Sequence, residues 1–190
     1  MEKTLLLLKP DTVRKSIVGK IISRFEDAGL KIVGMKMIWA DKKLAENHYF
    51  LDEEWAKKIF EKTKAGYAKE KEFPYKDHLD IGRTIQKWSM EFLMEGPVIA
   101  VVLEGPHAID IVRKLIGSTE PKTATPGTIR SDFASVESYI VADADKRGVR
   151  NLIHASDSVD NANREISLWF SEKELYPNYK TAHEMLLNRK

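Results

Sequence analysis

Asn151-Leu152-Ile153-His154-Ala155-Ser156-Asp157-Ser158 packs a short apolar run, one histidine and a cluster of helix-capping residues into eight positions. The apolar pair reads as a strand and the Ser-Asp-Ser cluster as a helix start, which places the imidazole at a strand-to-helix turn. Downstream, Val159, Ala162, Ile166, Trp169 and Phe170 recur as the inner stripe of a helix. At the other end of the chain, Thr4 to Leu8 reads as a strand covered on both faces and ended by Pro10-Asp11. Val18, Ile21, Ile22 and Phe25 mark a helix closed by Gly29, and Leu30 to Trp39 a second strand. Val98 to Leu103 is the third strand, followed by a helix with Ala108, Ile111, Val112, Leu115 and Ile116 inward and Gly117 at its end. Leu152-Ile153 is the fourth strand. The order β-α-β-(helices)-β-α-β-α contains two β-α-β halves. It predicts an α+β, ferredoxin-like βαββαβ sandwich: a four-stranded antiparallel sheet with helices on one face, plus a helical insertion.

The intervening segments are less regular. Leu44 to Phe50 reads as a short helix carrying His48 and Tyr49. Lys57 to Asp80 is highly charged, including Lys69, Glu70, Lys71 and Glu72, and is broken at Gly66 and Pro74. It reads as a solvated helical excursion that leads into a helix from Ile81 to Leu93. Ser118 to Phe133, with Pro121, Pro126 and Gly127, reads as a long loop, and long loops in compact domains are often functional. Ser135 to Gly148 shows only an apolar patch at Tyr139-Ile140-Val141. The tail, with Tyr176, Pro177, Tyr179 and Leu186, is expected to pack against the body or a neighbouring subunit.

At 190 residues the chain is expected to be one domain, residues 1–190. A net charge of +2 gives no ground for wholesale nucleic-acid or membrane binding. With no cysteine there is no disulfide frame, thiolate nucleophile or Cys-based zinc site, which fits a reducing, cytoplasmic setting. No apolar run approaches the roughly 20 residues of a membrane-spanning helix. The N-terminal apolar run lacks the basic region and cleavage site of a signal peptide.

A lone histidine is more often structural than catalytic, and His48, His78, His107 and His183 are given that reading. His154 differs in its company. Glu165, eleven positions on, can hold one ring nitrogen while the other acts as nucleophile, with Ser156 mediating that contact or assisting the leaving oxygen. A neutral imidazole is nucleophilic near pH 7, and its phosphoryl adduct transfers readily to a second acceptor, giving a ping-pong cycle. Lys9, Arg113, Thr119 and Arg130 stand beside turn-forming residues and suit the non-bridging oxygens of a polyphosphate. Walker, kinase glycine-loop and GxGxxG patterns are all missing from the sequence.

Together these residues resemble the nucleoside diphosphate kinase family. The matching stretches are Leu8 to Asp11, Val18 to Phe25, Ala45 to Tyr49, Gly96 to Val98, Gly117 to Pro121, Pro126 to Phe133, Asn151 to Ser158 and Glu165 to Phe170. They run through the chain in order, apart from insertions at about 52–84 and 136–147. The resemblance implies transfer of the terminal phosphate of ATP or another nucleoside triphosphate to a nucleoside diphosphate. His154 is then the phosphohistidine, Glu165 its orienting carboxylate and Tyr49 a nearby hydroxyl. Lys9, Arg113, Thr119 and Arg130 bind phosphates, and Asn151 with Lys9 the ribose hydroxyls. Mg2+ is implied as a cofactor carried by the nucleotide, with Asp157 reaching it at most through water. A homo-oligomer is implied, a hexamer in preference to a tetramer, with Pro121 in a subunit-contact loop. The family's base-stacking aromatic falls on Ile85 by register, and Trp55, Phe60 and Trp88 are the alternatives. Ser131 and Ala155 stand where glycine is common.

Two other readings compete. A non-catalytic nucleotide-binding module on the same fold would bind without exchange. A ferredoxin-like RNA-binding domain would need sheet-exposed aromatics and a basic face, and the sequence shows neither.

Overall fold

The computed structural model describes residues 1–66, 73–182 and 185. The charged residues 69–72, His183 and Leu186 lie outside them. Among the described residues, β1 (Glu2–Leu8), β2 (Lys31–Ile38), β3 (Val98–Gly105) and β4 (Ile153–Ala155) form one antiparallel sheet in the order β2-β3-β1-β4. This is the ferredoxin-like arrangement, with β1 and β3 interior. β4 runs over Ile153–Ala155, so His154 lies inside the strand and Leu152 just before it, one step later than expected.

The antiparallel register decides which way each side chain faces. Leu6, Leu7 and Leu8 stand opposite Ala155, His154 and Ile153, so His154 shares a face with Leu7 while Ile153 and Ala155 share the other with Leu6 and Leu8. Both faces are covered. Leu6, Leu8 and Ile153 pack under α2 (Val18–Asp27), α6 (Ala108–Ile116) and α7 (Ile129–Ala134). Leu5 and Leu7 pack under α3 (Lys42–His48), α5 (His78–Met94) and α9 (Val159–Trp169). The expectation of helices on one face is therefore corrected: helices cover both, which is why β1 is apolar at every position from Leu5 to Leu8. Each of those leucines is about 1% exposed or less, and truncating one to alanine is expected to cost about 2–5 kcal/mol.

α1 (Pro10–Arg14) follows β1 directly, with Pro10 at its first position. α3 is capped by Asp41, whose carboxylate accepts from the Leu44 N–H, and α9 by Ser158, which accepts from the Asn161 N–H. α4 (Glu53–Gly66) packs on α5. The 118–133 stretch is not wholly loop: it holds a 3-10 turn at Pro121–Thr123 and then α7. The segment without an expected element contains α8 (Tyr139–Ala144), capped by Ser138. The tail lies along β2, where the Tyr176 N–H donates to the Val33 carbonyl and the Tyr179 hydroxyl to the Ile32 carbonyl. Gly34 permits this approach, since a Cβ there would lie 2.8 Å from Leu175. Among the described residues, no helix is long and apolar enough to cross a membrane.

Candidate active site

The sheet register aims His154 at α9 and α3. Glu165, on the inner face of α9 and 4% exposed, places Oε2 3.0 Å from Nε2 of His154. The Ser156 hydroxyl donates to the same oxygen at 2.6 Å and accepts from the Leu5 N–H at 3.3 Å. A carboxylate can only accept, so Nε2 of a neutral His154 carries the proton and Nδ1 keeps the lone pair. Burial works against ionisation of Glu165. The His154 charge, hydrogen bonds from His154 and Ser156, and the Arg164 guanidinium prevail and hold its pKa below the usual carboxylate range.

The approach to β4 is fixed by a second buried group. Leu152 has φ of 69°, a conformation that costs a branched residue about 1–2 kcal/mol. Its N–H donates to Oδ2 of Asp11 at 3.0 Å, and its carbonyl accepts from the Lys9 N–H and the Thr12 hydroxyl. Arg130 binds the backbone on either side through the carbonyls of Asn151 and Ile153, and reaches the Gly117 carbonyl at 2.9 Å. The Lys9 ammonium donates to Oδ1 of Asn151 at 2.9 Å, and the Asn151 amide donates to the Thr119 carbonyl at 2.9 Å. Lys9, Asn151, Arg130 and Thr119 are thus brought together. Arg113 joins them electrostatically, because its charge bears on both Arg130 and Asp157.

Burial, first, and the charge of Arg130 depress the Lys9 pKa to about 8, with Asp11 acting against them. Burial likewise draws the Arg130 guanidinium down to about 10, and it remains charged at neutral pH. Tyr49 is pushed above its ordinary value, by burial first and then by the Glu165 charge, and its ring centre lies 6.5 Å from that of His154. Asp157 is exposed and accepts from the Asn161 amide. That bond, more than the Arg113 charge, holds its pKa down.

One histidine read as structural belongs to this site. His48 lies edge-on to His154, with ring centres 4.5 Å apart at 84°. One ligand atom from each of His48, His154 and Glu165 falls within 4.8 Å of the others, a spacing that invites a metal. The protonation pattern argues otherwise. The Trp169 indole can only donate, and it donates to Nδ1 of His48 at 3.3 Å, so the proton of neutral His48 sits on Nε2. Burial first, then the charges of His154, Lys9 and Arg164, keep that ring neutral. Neither nitrogen of His48 therefore has a free lone pair. The signal for His48 was the helical spacing of Leu44, Ala45 and His48, which puts it on the inward face of α3.

The nucleoside diphosphate kinase family profile matches residues 2–70 and 56–175. A nucleoside diphosphate kinase of Pyrobaculum aerophilum is 44% identical over 180 residues, covering 92% of this chain and 98% of that one. One from Pyrococcus furiosus is 41% identical, covering 96% and 91%. The chain belongs to the nucleoside diphosphate kinase family. The crystal structure of an NDP kinase from Pyrobaculum aerophilum superposes with a TM-score of 0.85 at 43% identity, covering 92% of this chain and 98% of that one. A nucleoside diphosphate kinase from Borrelia burgdorferi with bound vanadate and ADP, a transition-state mimic, superposes at 0.77 with 35% identity, covering 97% and 95%.

Of the candidates for a nucleoside diphosphate kinase base clamp, Trp55 and Phe60 lie on α4 and Ile85 and Trp88 on α5. Phe60 packs edge-on against Phe73. Trp88 lines a cavity of about 300 Å³ with Phe92, Glu95, Arg147 and Arg150. Asp11 carries no role in the sequence reading. Its buried carboxylate, which accepts from the backbone N–H groups of Thr12 and Leu152, supplies one.

Proposed function

We propose that this chain transfers the terminal phosphate of ATP, or another nucleoside triphosphate, to a nucleoside diphosphate through a phosphohistidine at Nδ1 of His154. The Nδ1 lone pair attacks the terminal phosphorus. The new N–P bond replaces the P–O bond to the β-phosphate, whose electron pair leaves on the diphosphate oxygen. Positive charge develops on the ring, and Glu165, already on Nε2, stabilises it. An incoming diphosphate oxygen then attacks the phosphohistidine and the bonds reverse. Lys9, Arg113 and Arg130 neutralise charge on the phosphate oxygens and the Thr119 hydroxyl donates to one of them, Arg130 having spent three of its five N–H groups on backbone carbonyls. Asn151 and Lys9 serve the ribose hydroxyls, with Tyr49 and Ser156 supporting the imidazole. The base clamp is drawn from Ile85, Trp55, Phe60 or Trp88.

The groups around the phosphates are mainly cations and hydroxyls, a donor set that fits Mg2+ only as part of the nucleotide, with Asp157 meeting it through water. When bound, magnesium neutralises charge on the polyphosphate.

The chain is one catalytic unit with insertions at about 52–84 and 136–147, and it works in a cytoplasmic setting. It assembles as a homo-oligomer, a hexamer in preference to a tetramer. Met35, Met37 and Trp39 support assembly, since all three are more than half exposed at alternate positions along the edge strand β2 and just beyond it. Molar mass in solution tests this.

The observation that carries the reading is the single oxygen of Glu165 that takes both Nε2 of His154 and the Ser156 hydroxyl. With magnesium and γ-labelled ATP, the protein is expected to acquire an acid-labile, alkali-stable phosphate that ADP removes. His154→Ala is expected to acquire none. No label on the natural chain, or full label on the variant, would overturn the reading.

A further inference from the structure

The 136–147 segment is wired to the loop that carries Thr119. The Glu137 carbonyl accepts from the Lys122 N–H at 3.0 Å, and the Tyr139 N–H donates to Oε1 of Glu120 at 3.0 Å. On the far side of α8, Arg147 grips the buried Glu137 carboxylate with both terminal nitrogens, at 2.9 and 3.1 Å, closing the segment into a staple. Its other end is seated on α5. A Cβ on Gly148 would lie 3.0 Å from the Trp88 carbonyl, and Arg150 forms a two-point ion pair with Glu95.

The loop has need of such support. It leaves α6 at Gly117, whose φ of 81° suits glycine, and Ser118 and Thr119 are exposed. Among the described residues, the Ser118 and Thr123 hydroxyls bond within the loop. Its other described hydrogen bonds to the body are the Asn151 amide on Thr119 and Arg130 on Gly117, and its 3-10 turn packs on α7 with Pro121 and Ala124 buried.

We infer that residues 136–147 are a brace that holds the Thr119 loop in its phosphate-receiving conformation, with Glu120 and Glu137 as positioning residues. The inference deepens the proposed function and rests on its assignment of Thr119 to the phosphates. A pre-ordered loop spares the nucleotide the entropy of ordering it, so the brace acts on affinity and leaves the chemical step alone.

The test compares Glu120→Ala with Glu120→Gln, whose amide oxygen still accepts from the Tyr139 N–H. Losing one such bond, worth about 1 kcal/mol, is expected to raise KM for ADP and its calorimetric Kd about fivefold, with kcat at saturation within about twofold. In nucleotide-free protein, amide hydrogen exchange over 118–124 is expected to quicken by about the same factor while the core strands keep their protection. Glu120→Gln is expected to restore all three readings. Arg147→Met, which opens the staple from the other end, is expected to speed exchange over the same residues.

A merely structural role would lower kcat through a smaller active fraction, spread faster exchange over the whole chain and leave KM alone. That pattern, unchanged loop exchange in Glu120→Ala, or a Glu120→Gln variant as impaired as alanine, would each overturn the brace. Exchange without nucleotide does not depend on phosphotransfer. If the His154 label failed while loop exchange quickened, the phosphate assignment would fall and the mechanical coupling would stand.

Discussion

His154 stands between two walls of different construction. On one side Lys9, Asp11, Arg130, Asn151 and Glu165 are each less than a tenth exposed and tied to backbone or to one another. On the other, Arg113, Thr119 and Asp157 are exposed and sit on a helix flank, a loop and a turn. On the proposed assignment, Glu165, which fixes the reacting imidazole, is built into the core, and so are Lys9 and Arg130, which hold the 151–153 backbone as well as facing the phosphates. Arg113 and Thr119, which face only the polyphosphate tail, tolerate solvent, because attraction to a charged tail falls off slowly with distance. The strongest way to break this contrast is Glu165→Gln. It keeps the shape but removes the charge facing the growing imidazolium. It is expected to lower kcat about 10²–10³-fold with little change in KM, whereas Thr119→Ala is expected to raise KM a few-fold at nearly unchanged kcat. Steady-state kinetics on both variants decide the matter. A Glu165→Gln enzyme with near-natural kcat would mean the buried wall does not serve the chemistry.

The two arginines allow the same contrast to be read in stability. Arg130 holds three carbonyls that lie at or beside the strained Leu152 turn and the Gly117 bend. Arg130→Met strands these acceptors and is expected to destabilise the fold by about 2–4 kcal/mol. Arg113→Met, on the exposed flank of α6, is expected to stay within about 0.5 kcal/mol of the natural chain. Both are expected to weaken nucleotide binding. Denaturant unfolding would separate them, and equal losses of stability would erase the distinction between the walls.

How legible each wall was follows from the same physics. The sheet could be read because β1 and β3 carry dense apolar runs and β2 is bounded by turn and glycine signals, each run too short for a buried helix. The apolar identity of every residue from Leu5 to Leu8 already required two covered faces. The helices of the second cover, α3, α5 and α9, were each legible as helices; what their periodicity does not carry is which face of the sheet each packs against, because that is decided by tertiary packing. His154, Glu165 and the cations could be named because they cluster in short motifs whose order matches a family. His48 was missed because its significance is purely tertiary: it faces inward from α3 onto a strand more than a hundred positions away. Asp11 was passed over for the same reason, since its partner is the backbone of Leu152. α7 and α8 are six residues each, too short for a helical period to show.

The smallest effect expected is a pH dependence on the buried wall. With its folded pKa near 8, Lys9 loses its proton as the medium passes that point. On the proposed assignment its charge serves the incoming phosphates, so kcat/KM, which reports the free enzyme, is expected to fall above about pH 8. Bound phosphate restores the charge, so kcat is expected to hold to higher pH. Stability moves the other way. Between about pH 8 and the unfolded value of 10.5 the unfolded chain binds the lysine proton and the folded chain does not, so this group makes unfolding less favourable as pH rises. Lys9→Gln is expected to lower kcat/KM at pH 7 and to abolish the fall above pH 8. Relative to this variant, the natural chain is expected to gain stability from pH 8 to 10. Parallel kinetic and denaturant titrations check both signs, and a kcat/KM profile still falling at pH 8 in Lys9→Gln would assign that titration to another group.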